Sequence, residues 1–551
     1  MFQLYKLALL NFLNLCFRGL FSGIKDPLHQ IRENWAHPRS RLRNFELIAL
    51  LHLGKFKDPN VTPDSIDNQT WSDLNLDDLF ALLDHCDTPI GSQFLYNRLR
   101  ALNKIDTQKL QQDFARYNDI QLSVESRETI QKILTPVTDN SGFGVSHLLF
   151  SPLPKRPKFF RLFYLLSAAS IVSMICLPFY SQALLVLIPV LIINIAVSGR
   201  FSNKINEYSQ AFGYLYRMTS VGLNLASAKI DLTSPQITKL VEIAPAIAKL
   251  RKKINFFESH KFDKWKANEL AFLFAEYFNL FCLVETLHFF RSVKYIEANT
   301  QILRELFDSL ASLDGDIAVA SYIAGSKYCC LPKISPSNDI DVAAMYHPLI
   351  KNAVPNSFSI KNKSAILIGS NMSGKTTFMR SIGINIILFR ALGFCHATSA
   401  MLPDLQVQTS INRSDDLINS ASYFRREAEQ LLRFLEINDV PRLFLIDEIY
   451  KGTNQAERVG AASAVLTSLA QKNLVMVTTH DVDIVTQLEK DFLPFSFLET
   501  MGESGASYDY LIRSGVHVNH NAIRILRAMN YPPEIVQSAE RIASSYTAGL
   551  N

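Results

Sequence analysis

The stretch AILIGSNMSGKTT, residues 365–377, joins a short apolar run to a glycine-rich loop. From Gly369 to Thr376 it fits the pattern G-x-x-x-x-G-K-[ST], and the residues that follow have a helical pattern. Glycines let the backbone wrap around a phosphate, while the loop amides and the helix N-terminus direct positive dipoles at it. The stretch therefore predicts a strand, a phosphate-binding loop and a helix.

The side chains of this loop have the chemistry that a nucleoside triphosphate requires. Lys375 offers a cation to the β- and γ-phosphates, and the Thr376 hydroxyl is a ligand for Mg²⁺. We therefore expect ATP and Mg²⁺ as cofactors. The residues expected to bind the nucleotide are Gly369, Asn371, Met372, Ser373, Gly374, Lys375, Thr376 and Thr377.

Two further apolar runs end in polar residues that suit ATP hydrolysis. RLFLIDE, residues 442–448, ends in two carboxylates. Asp447 is predicted to hold the Mg²⁺ ion, and Glu448 to orient or deprotonate the attacking water. VMVTTH, residues 475–480, ends in His480, which is predicted to contact the γ-phosphate or that water. A lone histidine is also common at surfaces and in cores, so its place after a third strand is what favours a catalytic role.

Strands and helices alternate after about residue 340, which predicts a parallel sheet flanked by helices in residues 341–551. The residues before that point have a helical pattern. They are expected to form a helical core in two parts, residues 26–157 and 199–340, separated by an apolar segment at 158–198.

The whole chain is rich in apolar residues and short of charge. Its 551 residues suggest three or four domains. Hydrophobic residues make up 48% and charged residues 19%, against about 25% charged in an average soluble domain. The net charge of +5 permits contact with nucleic acid or an anionic membrane but requires neither. The seven cysteines are scattered without a C-x-x-C, which predicts free thiols rather than a disulfide framework or a zinc site.

Residues 158–198 contain two apolar stretches around a turn at 178–182. Each stretch with its flanks is about 19 residues, or about 28 Å as a helix, close to the ~30 Å bilayer core. The turn carries no charge, and the outer flanks carry Lys155, Arg156, Lys158, Arg161, Arg200 and Lys204. Because cationic flanks favour the cytoplasmic side, we predict a transmembrane hairpin in the cytoplasmic membrane, with the ATPase domain and both termini in the cytoplasm. A buried hairpin within a large soluble domain is the alternative.

Residues 1–25 show a helical period with cationic residues on the polar face. This pattern predicts an amphipathic helix that lies on the membrane surface or docks on the protein's own core.

Four motifs together resemble the ATPase of the MutS mismatch-repair family, a branch of the ABC-type ATPases. They are G-x-N-M-x-G-K-T in the loop, D-D-L-x-x-x-x-S-x-F-x-x-E at 415–427, D-E-I-x-x-G-T-N at 447–454 and T-T-H at 478–480. A weaker match over 87–100 resembles the start of that family's helical core. The resemblance implies an α/β P-loop (ABC-type) ATPase domain at the C-terminus, closed by dimerisation helices and preceded by an all-α helical core that carries the hairpin.

The resemblance also implies a homodimer that engages double-stranded DNA. In such ATPases the composite site takes Ser422 from the other subunit, where it contacts the γ-phosphate. This sequence departs from the family pattern in leaving no room for the mismatch-reading domain, and in having the hairpin in the region of the DNA clamp. Ala353 stands where an aromatic residue often cradles adenine. We therefore expect DNA binding without strong mismatch selectivity.

Two functions are compatible with the sequence. The first is a membrane-anchored MutS-like ATPase that hydrolyses ATP as a dimer and engages DNA in mismatch repair-related or recombination-related transactions. The second is an ABC-type ATPase that acts on a membrane protein partner without DNA. A transporter is disfavoured, because one hairpin gives a homodimer only four spans with few polar residues to line a path.

Overall fold

The computed structural model describes residues 27–39, 41, 43–56, 64–102, 104–254, 277–370, 372–411, 420–436, 440–450, 454–502, 505–517, 523, 527, 529 and 531–548. These residues form two compact units. The first consists of the described residues within 1–61, 83–97 and 116–325, and the second of those within 62–82, 98–115 and 326–551. The helix expected at residues 1–25 lies outside the described residues.

Helices predominate before residue 330, as expected. In chain order they are α1 (Pro27–Asn34), α2 (Phe45–Phe56), β1 (Asp64–Ser65), α3 (Asn68–Asp73), α4 (Leu76–Leu83), α5 (Pro89–Arg100), β2 (Ala101–Leu102), α6 (Thr107–Leu122), α7 (Val124–Leu134), α8 (Phe143–Phe150), α9 (Phe160–Cys176), α10 (Leu184–Ser227), α11 (Pro235–Ile254), α12 (Val284–Ala298) and α13 (Thr300–Gly325).

Strands alternate with helices in the remainder of the chain. The elements are β3 (Lys333–Ile334), β4 (Ile340–Met345), β5 (Asn356–Ile360), β6 (Ser364–Ile368), α14 (Lys375–Leu392), β7 (Ser399–Leu402), β8 (Gln406–Ser410), α15 (Ser420–Phe434), β9 (Arg442–Asp447), α16 (Gln455–Ala470), β10 (Leu474–Thr479), α17 (Val482–Leu488), β11 (Phe492–Gly502), β12 (Gly505–Ser514) and α18 (Pro533–Ala548).

A six-stranded sheet forms the centre of the second unit. Its spatial order is β12-β11-β6-β10-β9-β8, with β12 antiparallel to β11 and all other neighbours parallel. Every residue of β6 and β10 is buried, as expected for strands covered on both faces. The parallel sheet predicted from the sequence is therefore present. Because β6, β9 and β10 are parallel neighbours, their carboxyl ends meet at one edge, where ligands bind in sheets of this kind.

A second sheet lies in the same unit, with the order β3-β7-β4-β5. It pairs β4 antiparallel with both β5 and β7, and β3 parallel with β7. This sheet carries the segment 345–354 from the end of β4 towards β5, and that segment forms part of the wall of the cavity described below.

The second unit includes two segments from far upstream, residues 62–82 and 98–115. The helical pattern assigns both to the first part of the helical core, so the unit extends beyond the expected 341–551. Asp73 at the end of α3 shows why. Its buried carboxylate accepts hydrogen bonds from the Thr409 hydroxyl at 2.7 Å and from the backbone N–H of Ile411 at 2.9 Å. This side chain thereby satisfies backbone and hydroxyl groups at the end of β8.

The first unit is helical, and its longest described helix is α10 with 44 residues. A buried polar cluster lies at residues 87–91, the start of the weaker family match. Asp314 of α13 accepts hydrogen bonds from the backbone N–H of Asp87 at 3.0 Å and of Thr88 at 2.8 Å. A Cβ on Gly91 would lie 2.1 Å from the Asp314 carboxylate, so only glycine fits there. Burial, and next the Asp87 carboxylate, raise the pKa of Asp314 to about 7.

The apolar segment 158–198 folds as two helices, α9 and the first part of α10, separated by a short turn. Large apolar side chains are exposed along both, among them Leu165, Ile175, Leu185 and Ile188. Within the described residues, one helix is long and apolar enough to cross a membrane. It consists of α10 together with the helical turn Ser181–Ala183 that precedes it, and 11% of its most apolar 18-residue stretch is buried. Helix α9 is also apolar but has only 17 residues.

One polar contact ties the two apolar helices together. Asn194 of α10 is fully buried, and its side-chain amide donates to the Ser170 hydroxyl of α9 at 3.0 Å and to the carbonyl of Phe281 at 2.7 Å. The exposed surface of the hairpin is apolar, and the side-chain nitrogen of the buried Asn194 is hydrogen-bonded inside the protein.

Candidate nucleotide-binding site

The loop after β6 has the backbone that the sequence predicts. Gly369 and Gly374 have positive φ angles of 151° and 104°, a region that favours glycine. A Cβ on Gly369 would lie 2.7 Å from the carbonyl oxygen of Phe497. Helix α14 begins at Lys375 immediately after Gly374, so its free N–H groups face the loop. The loop therefore has the shape of an anion cradle.

Lys375 lies inside this loop rather than in solvent. Its side-chain ammonium donates to the carbonyls of Gly369 at 2.7 Å and Ser370 at 2.9 Å, and the residue is 4% exposed. Two loop hydroxyls, those of Ser370 and Ser373, are buried without a hydrogen-bond partner in the described part of the chain. Unpaired buried hydroxyls beside a cation and a helix N-terminus fit a polyanionic ligand, because phosphate oxygens accept from all three.

The pair predicted to hold Mg²⁺ is brought together at the strand ends. The Thr376 hydroxyl lies 3.2 and 3.1 Å from the two carboxylate oxygens of Asp447. A hydroxyl and a carboxylate side by side are the oxygen ligands that Mg²⁺ prefers, with waters and phosphate oxygens completing its shell. The residues therefore fit a nucleotide-bound Mg²⁺ ion.

Thr478, near the end of β10, organises the two acidic residues of β9. Its hydroxyl donates to Asp447 and accepts from the backbone N–H of Glu448 at 3.1 Å. Glu448 itself has a left-handed φ of 53°, uncommon for a residue with a side chain. In the sequence Thr478 stands out only as part of the T-T-H run, although a hydroxyl at the end of a buried strand was a usable signal for this role.

His480 contacts the predicted catalytic carboxylate directly. Its Nε2 atom lies 2.6 Å from Oε1 of Glu448, whose side chain is 11% exposed against 40% for the histidine. His480 lies outside the main cavity and lines an adjacent one of about 270 Å³, which also includes Glu448. The geometry places His480 behind Glu448, where it can orient that carboxylate.

The main cavity has a volume of about 570 Å³, within the range of small-molecule sites. Of the predicted residues it is lined by Met372, Ser373, Gly374, Lys375, Thr376, Thr377, Asp447 and Glu448. Gly369 lies directly beside it through its carbonyl contact with Lys375. Asn371 lies outside the described residues, as do 415–417 and 451–453. Ser422 belongs to α15, but its side chain is not described.

The wall opposite the loop comes from the segment after β4 and from β12. Ala353 lines the cavity, as do the aromatic residues Tyr346 and Tyr510. Tyr510 was not anticipated from the sequence, because β12 lies far from the loop in the chain and carries no motif. Its side chain also lies against the loop, since its ring is 3.2 Å from the position of a Cβ on Gly374. Aromatic surface is thus available to a base despite the alanine at 353.

His347 adds a neutral polar group to this wall. Burial, with the Arg380 cation as a smaller cause, lowers its pKa to about 4. Its Nδ1 atom accepts from the backbone N–H of Leu349 at 3.3 Å, so the proton of the neutral ring is on Nε2. His347 is therefore a hydrogen-bond donor and not a cation at neutral pH.

A phosphate loop on a parallel sheet, with a carboxylate pair at one strand end and a histidine at another, defines a P-loop domain of the ATPase type. Residues 365–547 match the family MutS domain V. The C-terminal third of the chain therefore carries a P-loop domain similar to MutS domain V, with a helical region before it.

The names of similar proteins combine MutS with a term for an activity on DNA. The chain is 26% identical over 355 residues to "DNA mismatch repair protein MutS" of Haloquadratum walsbyi, covering 61% of this chain and 35% of that protein. It is 28% identical over 290 residues to "Endonuclease MutS2" of Thermus thermophilus, covering 49% of this chain and 38% of that protein. A third relative, "DNA mismatch repair protein MutS 2" of Halobacterium salinarum, is 25% identical over 245 residues, 42% of this chain and 28% of the relative. The chain thus spans about a quarter to two fifths of the length of these relatives.

Proposed function

We propose that this chain binds and hydrolyses ATP with Mg²⁺ at the cavity beside residues 369–377. The observation that carries the proposal is the convergence of Lys375, Thr376, Asp447 and Glu448 at the carboxyl ends of neighbouring strands. Lys375 and the N-terminus of α14 would hold the phosphates. Thr376 and Asp447 would hold the metal ion, which neutralises the charge that develops on the phosphate oxygens.

Within this proposal, Glu448 takes the proton of the attacking water. Glu448 lines the cavity. Its backbone is held in place because its N–H donates a hydrogen bond to the Thr478 hydroxyl. His480 keeps the carboxylate oriented through the contact at 2.6 Å. Adenine would lie against the wall that contains Tyr346 and Tyr510.

We further propose that the chain works as a homodimer in which Ser422 reaches the γ-phosphate of the partner subunit's nucleotide. Helix α18 supports a self-association role for the C-terminus. Its Ile535 and Ile542 are exposed apolar side chains, while Val536 is buried. An amphipathic helix of this kind stabilises a dimer when a second copy covers its apolar face.

The membrane part of the proposal is that residues 158–198 form a transmembrane hairpin in the cytoplasmic membrane, with the ATPase domain and both termini in the cytoplasm. The exposed apolar surface of α9 and of the first part of α10 supports it, as do the cationic flanks. The bilayer would cover side chains that water would otherwise contact.

The DNA part of the proposal is that the dimer engages double-stranded DNA, without strong mismatch selectivity, in repair-related or recombination-related transactions. The names of the relatives support DNA. A second candidate is an ATPase that acts on a membrane protein partner without DNA, and the exposed apolar hairpin favours it.

One experiment separates the two candidates. The full chain in detergent is assayed for ATP hydrolysis with matched duplex, single-mismatch duplex and branched DNA, and for binding to each at several salt concentrations. We expect matched and mismatched duplexes to bind within a few-fold of each other, with affinity falling as salt rises because phosphate contacts release counterions. Binding to none of them at low salt would favour the membrane partner, and a strong mismatch preference would contradict the proposed lack of selectivity. The Lys375→Ala variant controls for hydrolysis by contaminants.

A further inference from the structure

Two cysteines outside the nucleotide site face each other across a backbone pair in the second unit. Cys330 precedes β3, and Cys395 follows α14. Each backbone N–H donates to the other residue's carbonyl at 3.0 Å, forming an isolated antiparallel bridge. Their sulfur atoms are 3.6 Å apart.

This geometry is close to that of a disulfide. Opposed residues in a hydrogen-bonded antiparallel pair have Cα atoms about 5.5 Å apart. Disulfides span Cα separations of about 4.4–6.8 Å, so the backbone already satisfies that requirement. Only a small approach of the two sulfur atoms is needed, since they are already in contact.

The two thiols differ in a way that suits oxidation. Cys395 is fully buried, whereas Cys330 is partly exposed. A hydrogen bond joins the two thiols, and it lowers the pKa of Cys330. The same contact and burial raise the pKa of Cys395. Cys330 is thus the accessible nucleophile, with Cys395 as the second thiol beside it.

The adjacent Cys329 provides an internal comparison. Burial raises its pKa to about 12, and it has no part in the backbone bridge. The surroundings therefore shift the pKa values of two neighbouring cysteine thiols in opposite directions.

We propose that Cys330 and Cys395 are a reversible redox site that a hydroperoxide converts to a disulfide. The Cys330 thiolate attacks one oxygen of hydrogen peroxide, so that an S–O bond forms, the O–O bond breaks, and the hydroxide released becomes water on protonation. The Cys395 sulfur then attacks the sulfenic sulfur. The S–S bond forms, the S–O bond breaks, and the leaving hydroxide takes the Cys395 proton as a second water. Two thiols and one peroxide give one disulfide and two waters, with two electrons passing from sulfur to oxygen.

The disulfide would link positions 65 residues apart and enclose the phosphate loop and α14 in a covalent loop. Closing a loop of this size restricts the unfolded chain, so the oxidised protein should resist thermal unfolding more than the reduced one. The segment next to Cys395 also meets the cavity wall, because the backbone N–H of Tyr346 donates to the carbonyl of His396 at 3.0 Å.

The test treats the full wild-type chain in detergent with a few equivalents of hydrogen peroxide and blocks the remaining thiols with N-ethylmaleimide. Trypsin digestion and mass spectrometry then identify linked peptides. We expect peptide 328–333 joined to the peptide containing Cys395, and its loss after dithiothreitol. Because 328–333 holds both Cys329 and Cys330, the Cys329→Ser variant is the matched control and should keep the link, whereas Cys330→Ser should lose it.

A second readout is the thermal unfolding midpoint. Peroxide should raise it for the wild type and for Cys329→Ser, reversibly with dithiothreitol, and leave Cys330→Ser unchanged. Three results would overturn the proposal: Cys330 that stays reduced, Cys330 that proceeds to sulfinic acid with Cys395 unmodified, or a link that requires Cys329. All three are visible in the wild-type digest together with the control variant.

Discussion

Replacing Glu448 by glutamine and His480 by alanine, singly and together, tests whether the two side chains act as one unit. Glu448→Gln keeps the size of the side chain and removes the charge that accepts a proton from water. General-base assistance is typically worth 10²–10⁴-fold, or roughly 2.7–5.5 kcal/mol. We expect the rate of hydrolysis to fall by that factor while ATP still binds, because Lys375 and Thr376 are untouched.

The effect of His480→Ala follows from its contact with Glu448. A hydrogen bond to a charged group is worth about 1.5–3 kcal/mol. Since the His480 side chain is 40% exposed, water replaces part of that contact, and we take the lower end. Loss of about 1.5 kcal/mol corresponds to a rate roughly tenfold lower. His480→Gln is the matched control, because its amide nitrogen lies near the position of Nε2 and should restore most of the rate.

The measurement is steady-state phosphate release by the full chain at saturating ATP, with nucleotide affinity determined separately. If His480 acts only through Glu448, the double variant should be no slower than Glu448→Gln alone. Multiplication of the two single effects would refute this reasoning and assign His480 a role of its own, such as contact with the γ-phosphate.

Three further outcomes are expected. Lys375→Ala should weaken ATP binding by roughly a hundredfold without altering the circular dichroism spectrum, because about two charged hydrogen bonds to phosphate are lost; unchanged affinity by calorimetry would remove Lys375 from the site. The double variant Cys176→Ser, Tyr180→Cys has a single cysteine near the turn, because the first change removes the neighbouring native thiol. In intact cells this cysteine should react with a membrane-impermeant maleimide from outside, whereas reaction only after the membrane is opened would exclude the spanning topology. The pKa of Asp314 is raised to about 7 from an ordinary value of 3.8, so the stability gained from its bound proton is complete below about pH 4 and is lost as pH rises through 7. The unfolding midpoint of the wild type should therefore fall across this range more steeply than that of Asp314→Asn, and parallel curves would contradict it.

The position of the candidate nucleotide site was predictable because its residues follow buried strands in short motifs. An apolar run followed by a phosphate loop fixes the end of β6, and RLFLID fixes the end of β9. Parallel pairing through β10 then brings Lys375, Asp447 and Glu448 together without any further information. The roles of the individual residues stay predictions until the variants are assayed.

Contacts between elements that are far apart in the chain could not be predicted from the sequence. Tyr510 lies on β12, which forms a hairpin with β11, and the position of that hairpin near the loop depends on the pairing of β11 with the distant strand β6. The same holds for Asp73, whose carboxylate caps groups after β8 although it lies on a short helix near the start of the chain. A linear pattern gives the local period of each segment but not its partner across several hundred residues.

The second unit combines segments that are far apart in the chain, so the ribosome makes its parts at different times. Asp73 is separated from Thr409 by 336 residues. At about 5–20 residues per second, a ribosome completes the partner strand roughly 17–67 s after it has made α3. Throughout that interval α3, which contacts β8 in the folded protein, has no such strand to pack against. The apolar segment 158–198 is translated within the same interval, so the nascent chain presents two unfinished apolar surfaces at once. In the proposed membrane-anchored protein, delivery to the membrane and protection of the early helices coincide in time. A fragment that begins at residue 341 lacks the Asp73 cap.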